Sequence, residues 1–114
     1  MDSILISIKK LLGIAEEYTH FDADIIMHIN SAFSVLTQLG VGPASGFSIE
    51  DDSAYWDDYI GDDHRLEMVK TYVFMKVRVI FDPPTSTTVM QALNSRISEL
   101  EWRLNVAVDP GSSK

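Results

Sequence analysis

The sequence predicts an all-α protein: a small bundle of about four helices with a long acidic loop between the second and third main helices. Three observations carry that expectation. Apolar residues recur at helical spacing in four separate stretches, and clusters of glycine and proline divide those stretches from one another. The chain has 114 residues, 46% of them hydrophobic and 23% charged, which is average globular usage and enough for one core without disulfides or metals.

The first helix is expected over 3–12. Asp2 or Ser3 caps it, Ile4, Leu5, Ile8, Leu11 and Leu12 form its apolar side, and Gly13 suits the left-handed position just past its end. After a connection over 16–21, Asp22 is the expected cap of a second helix running to Leu39, with Ile25, Ile26, Ile29, Phe33, Leu36 and Leu39 on one side. Gly40, Gly42, Pro43 and Gly46 end it. The loop that follows, 40–62, holds one candidate helical turn around 53–59, where Tyr55, Trp56 and Tyr59 are bunched. Loops of that length inside compact domains usually carry function or are disordered.

Helical spacing returns over 63–81 with Leu66, Val69, Tyr72, Val73, Val77 and Ile80, until Asp82-Pro83-Pro84 stops it. The β-branched residues Val73, Val77, Val79 and Ile80 leave a strand alternative open at its end, which the long helical period outweighs. Thr85 or Ser86 caps the last helix, where Met90, Leu93, Ile97, Leu100 and Leu104 step by three and four to draw a heptad-like seam. Glu99 and Arg103 are four apart on its exposed side, in the favourable order. The expected organisation is one helical domain over 1–106 and a flexible tail over 107–114, with no internal repeat.

Composition excludes much chemistry. The chain has no cysteine, which removes disulfides, thiolate metal sites and cysteine nucleophiles and is compatible with a reducing cytoplasm. Its start is polar and no apolar run reaches the length of a membrane helix, so the expectation is a soluble protein without a secretion signal or membrane contact. Seventeen acids against nine bases give a formal charge of −8, a poor basis for gripping nucleic-acid phosphates. The charge is concentrated: residues 50–67 carry eight acids and one base, Arg65, for a net −7, and the other 96 residues together carry −1.

The acidic stretch invites a metal hypothesis but fails the calcium-loop pattern, because Ser53, Ala54 and Tyr59 stand two positions after Asp51, Asp52 and Asp57. A solvated acidic surface is the better reading, and no metal or cofactor is expected. Paired-carboxylate catalysis needs fixed separations on rigid elements, which acids beside loop glycines do not supply. His20, His28 and His64 are scattered, and the Asp24/His28 pair reads as a surface interaction. Gly40-Val41-Gly42-Pro43 follows a helix, whereas glycine-rich phosphate loops follow a strand. No catalytic residue is identified, and an enzyme is not expected. Tyr55, Trp56 and Tyr59 are equally well read as an interface or as the anchors of the loop on the body. Trp102, outside the seam and flanked by Arg96 and Arg103, reads as a second packing face or a contact to a neighbouring chain, internal packing being slightly favoured.

One combination of motifs resembles a known family. Phe81-Asp82-Pro83-Pro84 precedes a capped helix ending Glu99 to Asn105; upstream stand an Ile-Asn-Ser-Ala-Phe stretch at 29–33, Leu-Gly-Val-Gly-Pro at 39–43, a long loop, and Val69 to Tyr72 on a helix. In this order, over about residues 3–106, the chain resembles the head–tail connector proteins of tailed phages and prophages, also called adaptor or head-completion proteins. The resemblance implies a structural virion protein, made in the host bacterial cytoplasm and located at the head–tail junction. It implies a ring of about twelve copies below the portal that extends the DNA channel and docks a tail or stopper connector protein. DNA would pass through without sequence-specific binding.

On that reading Tyr55, Trp56, Tyr59, Arg96, Trp102 and Arg103 are the interface candidates, the last helix and tail being the element that reaches the portal. Asp51, Asp52, Asp57 and Asp58 are candidates for a lumen or rim, an assignment that rests on charge alone. Two competitors stand beside it. A small acidic binding module or DNA-mimic regulator predicts fixed small stoichiometry and salt-sensitive binding to a basic partner; a metal-dependent enzyme predicts tight divalent binding at the acidic cluster.

Overall fold

The structure is a computed structural model that describes residues 3–61 and 65–108. It contains five helices and no strands among those residues: α1 (Ile4–Leu12), α2 (Asp22–Gln38), α3 (Trp56–Ile60), α4 (Leu66–Phe81) and α5 (Thr87–Val108). The four long helices are those the apolar spacing predicts, and the fifth is the short turn expected within the loop. The strand alternative near Val77 fails, because α4 runs unbroken to Phe81.

Local chemistry sets the helix ends. Ser3 caps α1 by accepting from the Ile6 N–H (3.3 Å), and Gly13, at φ 82°, lets the Gly13 and Ile14 N–H groups bond back to the Lys10 and Lys9 carbonyls. Gly40 closes α2 in the same way: its N–H reaches the Thr37 carbonyl, and the buried Val41 donates to Leu36. Ser86 caps α5, its hydroxyl accepting from Val89 (3.3 Å). α5 continues to Val108, so residues 107 and 108, expected in the tail, are helical. The rest of the expected tail, 109–114, and His64 lie outside the described residues.

Asp22 is not the cap of α2. It is the first helical residue, and its carboxylate pairs at 2.8 Å with Lys9, which is only 1% exposed. The Lys9 ammonium also donates to the Glu16 and Tyr18 carbonyls (2.9 and 2.8 Å), so every direction of its charge is answered and the α1–α2 connection is wound around it. The apolar side of α1 is correspondingly rotated: Lys9 is buried and Leu11 is 57% exposed.

α2 and α4 make the principal contact, α4 pairs with α5, and α1 lies across α2 and α4. One cluster of buried side chains joins them, including Ile8, Ile29, Phe33, Leu36, Tyr72, Val73, Val77 and Leu104. Phe21 before α2 stacks edge-to-face on Phe81 at the end of α4 (5.2 Å), and Asn105 near the end of α5 reaches the Leu39 carbonyl (3.4 Å). α4 therefore runs antiparallel to both α2 and α5. The molecule measures 47 × 36 × 20 Å, a flattened slab.

Three predicted core positions near the turn between α4 and α5 are not fully buried. Ile80 is 54% exposed, and the α5 seam is buried only at Ile97, Leu100 and Leu104, leaving Met90 and Leu93 half-covered. α4 has only its last turn to offer the start of α5, so the first turns of α5 overhang the core.

Candidate functional site

The loop over 40–61 is built onto the bundle by specific bonds. Asn30 of α2 turns its amide to Ile49, donating to its carbonyl (2.9 Å) and accepting from its N–H (2.7 Å), as a neighbouring strand would. Phe33, one turn along α2, meets Phe47, Trp56 and Tyr59 at ring distances of 5.2, 6.2 and 4.7 Å. The Trp56 indole donates to the Ser7 hydroxyl (2.8 Å), and the Tyr59 hydroxyl donates to the Val41 carbonyl (3.1 Å). At the far side the Ile4 N–H bonds to Ala54 and the Ser3 hydroxyl to Asp52, tying the loop to the start of α1.

Of Tyr55, Trp56 and Tyr59, the last two are therefore core side chains of the bundle, and Tyr55 alone is presented outward. This resolves the two readings of the trio: anchoring for Trp56 and Tyr59, availability for Tyr55. Burial pushes the Tyr59 hydroxyl up to about 12, a shift slightly opposed by Arg65. Tyr72 is raised as well, by burial first and then by its 2.7 Å bond to the Glu101 carboxylate.

The acids divide by task. Asp51 accepts from the N–H and hydroxyl of Ser53 (2.8 and 2.5 Å), bonds that hold its carboxyl below the usual carboxylate range. Asp58 accepts from the Tyr55 N–H (2.8 Å) and so starts α3. Glu50, Asp51, Asp52, Asp57 and Asp58 are exposed, so the loop presents an acidic edge in which Asp51 is held by a turn and Asp58 by a helix cap. Among the described residues no group of three or more acids or histidines could hold a metal ion, and no helix is long and apolar enough to cross a membrane.

Beside this edge a groove of about 710 Å³ opens between α1, the loop and the start of α4. Ile6, Leu11, Tyr55 and the edge of Trp56 supply its apolar lining, and Lys10, Lys70 and Asp52 its charges. Lys70 lies 5.9 Å from the centre of the Trp56 ring.

The outer face of α5 is the second exposed feature. Trp102 is 67% exposed, with Val106 one turn further along, so it does not pack internally. Beside it Glu99 bridges Arg96 (3.1 Å) and Arg103 (2.9 Å), contacts that hold the Glu99 carboxyl low. The structure thus brings Trp102, Arg96 and Arg103 together on one helix and leaves them apart from Tyr55 and the acidic edge, which belong to the loop. Asn30, Lys9 and the lysines of the groove were not singled out by sequence reasoning. Asn30 sits inside the Ile29–Phe33 stretch that carries the resemblance, and Lys9 interrupts the apolar side of α1; those were the available signals.

The outward features of this all-α body are an exposed tryptophan, an acidic edge and an apolar groove, kinds of surface that protein interfaces use. The profile of the phage connector protein family matches residues 4–111, and the chain belongs to that family. It is thereby a structural component of the phage particle that works in contact with other head and tail proteins. Neither a curated protein nor a solved structure matches the chain.

Proposed function

We propose that the protein is a head–tail connector subunit that assembles into an oligomeric ring below the portal, extends the DNA channel and docks a tail or stopper protein. Family membership over 4–111 is the observation that carries this reading. Three features support it. Tyr55 and the α5 face of Trp102, Arg96 and Arg103 offer the aromatic and guanidinium groups on which protein interfaces concentrate their binding energy. The acidic edge at Asp51, Asp52, Asp57 and Asp58 is solvent-facing, with Asp51 and Asp58 held by hydrogen bonds, which suits a channel rim that repels the DNA backbone and lets it slide. Asp51 and Asp58 are used in a turn and a cap, which fixes the loop as a surface for binding.

Native mass spectrometry over a concentration series tests the reading. Closed species of about twelve copies, alone or on addition of the portal, are the expected result. A chain that stays monomeric with and without portal overturns it in favour of the small acidic binding module.

A further inference from the structure

The start of α5 is the least buried segment of the body. From Asp82 to Arg96 no side chain is buried, and 83–95 carries no charge in a chain of net charge −8. The longer run of 25–49, uncharged apart from His28, is accounted for, because it supplies α2 and the anchored part of the loop. The 83–95 arm has no such use. Val89 is 49% exposed, Ile80 across the turn is 54% exposed, and Met90 and Leu93 continue the buried seam of Ile97, Leu100 and Leu104 to where the subunit covers it only in part, Leu93 packing on the edge of the core. A heptad seam that overhangs its own core is an unpartnered helix face.

Resting on the ring reading above, we infer that this arm seats in the groove of Leu11, Tyr55 and Trp56 on the next copy of the chain, making the repeated contact of the ring. Three observations select that occupant. First, a ring needs two different complementary patches on one subunit. Arm and groove meet this, since Lys70 and Ile80 are ten residues apart on α4, about 15 Å along the axis at 1.5 Å per residue, and the arm extends further. Second, copies that each carry −8 repel one another, so a contact between them must avoid their acids. The arm is uncharged, so seating it beside the acidic edge of the next copy sets no acid against acid, and the groove itself offers Lys10 beside Asp52, Lys70 being paired with Glu67 at 3.6 Å. Third, the charge at the start of the arm matches the groove: Asp82 precedes the arm and is opposite in sign to Lys10.

The chain has no cysteine, so a cysteine pair reports the contact without background. Val89→Cys and Leu11→Cys both alter exposed side chains and leave folding intact, as circular dichroism would verify. Each variant is oxidised alone and in an equal mixture, and assembly is followed in parallel by native mass spectrometry. The inference expects a disulfide between the two variants only in the mixture, and a ladder of covalent oligomers from the double variant. It also expects Asp82→Lys to raise the concentration needed for assembly about tenfold and Lys10→Glu in the same chain to restore it. Oligomers without the mixed disulfide, or a Val89→Cys homodimer, overturn the arm-in-groove contact and leave ring assembly standing. A chain that is monomeric under every condition overturns both.

Discussion

The loop over 40–61 and the arm over 82–96 reverse what their sequences lead one to expect. The loop is rich in glycine and acid, the composition of a mobile surface segment, yet Asn30, Phe33 and Ser7 reach it from two helices and four of its side chains, Val41, Ile49, Trp56 and Tyr59, join the core. The arm is mostly regular α-helix, carries part of a heptad seam, and has no fully buried side chain. Regularity of backbone and depth of packing are thus independent. A loop is fixed when its few apolar side chains and its backbone groups all find partners, and a helix stays bare when its neighbour ends too soon.

The comparison breaks most readily at Trp56. Trp56→Ala removes the largest buried side chain of the loop and its bond to Ser7, and should cost about 4 kcal/mol in urea unfolding. A loss below about 1 kcal/mol would mean that the loop is not anchored by its aromatics. Gly42 gives the next effect. Its φ of +84° is a left-handed conformation, and a Cβ there would lie 2.5 Å from the Tyr59 ring, so Gly42→Ala should cost about 3 kcal/mol. Gly46 sharpens the reading, because its φ is also positive (+94°) and the nearest atom to an added Cβ is at 3.9 Å. Gly46→Ala should carry the backbone strain alone, about 1 to 2 kcal/mol. Equal losses at the two glycines would show that Tyr59 does not crowd Gly42.

How much of this was legible follows from the same residues. Helix positions and the capping glycines Gly13 and Gly40 could be read because periodicity and left-handed caps are local properties. The burial of Lys9 could not be read, since it depends on where the Glu16 and Tyr18 carbonyls and the Asp22 carboxylate come to lie once the connection has folded. The family motifs were recognisable as words before their physical meaning was visible. Ile29–Phe33 holds the side chains that receive the loop, and Leu39–Pro43 holds the helix stop and the turn against Tyr59. For the candidate surfaces, sequence could nominate Trp102 and Tyr55 but not separate them from Trp56 and Tyr59. Exposure of one aromatic and burial of its neighbour is decided by long-range packing.

A smaller effect is expected in alkali. The Tyr59 hydroxyl is raised by burial to about 12 and ionises near 10 when unfolded, so the folded state favours the neutral phenol. The stability this contributes is fully present below pH 10 and is lost as pH rises from 10 through 12. At 1.36 kcal/mol per pH unit, discounted for screening by nearby solvent, the loss is on the order of 1 kcal/mol by the upper end. Tyr72, shifted in the same direction, adds to the slope. Urea midpoints at pH 8 and pH 11 should therefore differ, and Tyr59→Phe, already less stable for want of the bond to Val41, should show a shallower decline. A wild-type midpoint that does not move between these pH values would place Tyr59 in water and undo the anchored loop.

The smallest effect on folding belongs to the arm and is the sharpest test of the contrast. An exposed side chain gains little when the chain folds, so Val89→Ser should change unfolding free energy by no more than about 0.5 kcal/mol, and Trp102→Ser likewise. Their consequences should surface only between subunits, where loss of a central apolar contact costs about 2 kcal/mol or more in association and Trp is enriched among such contacts. The two readouts are independent: urea unfolding of dilute monomer reports whether a side chain packs on its own subunit, and concentration-dependent assembly reports whether it packs on another. If Val89→Ser destabilises the monomer by more than about 1 kcal/mol, the arm is covered by its own body and the contrast with the loop collapses. If it alters neither readout, the arm is surface and nothing more. Stability retained together with assembly impaired is the one pattern that an overhanging seam, completed by a neighbour, requires.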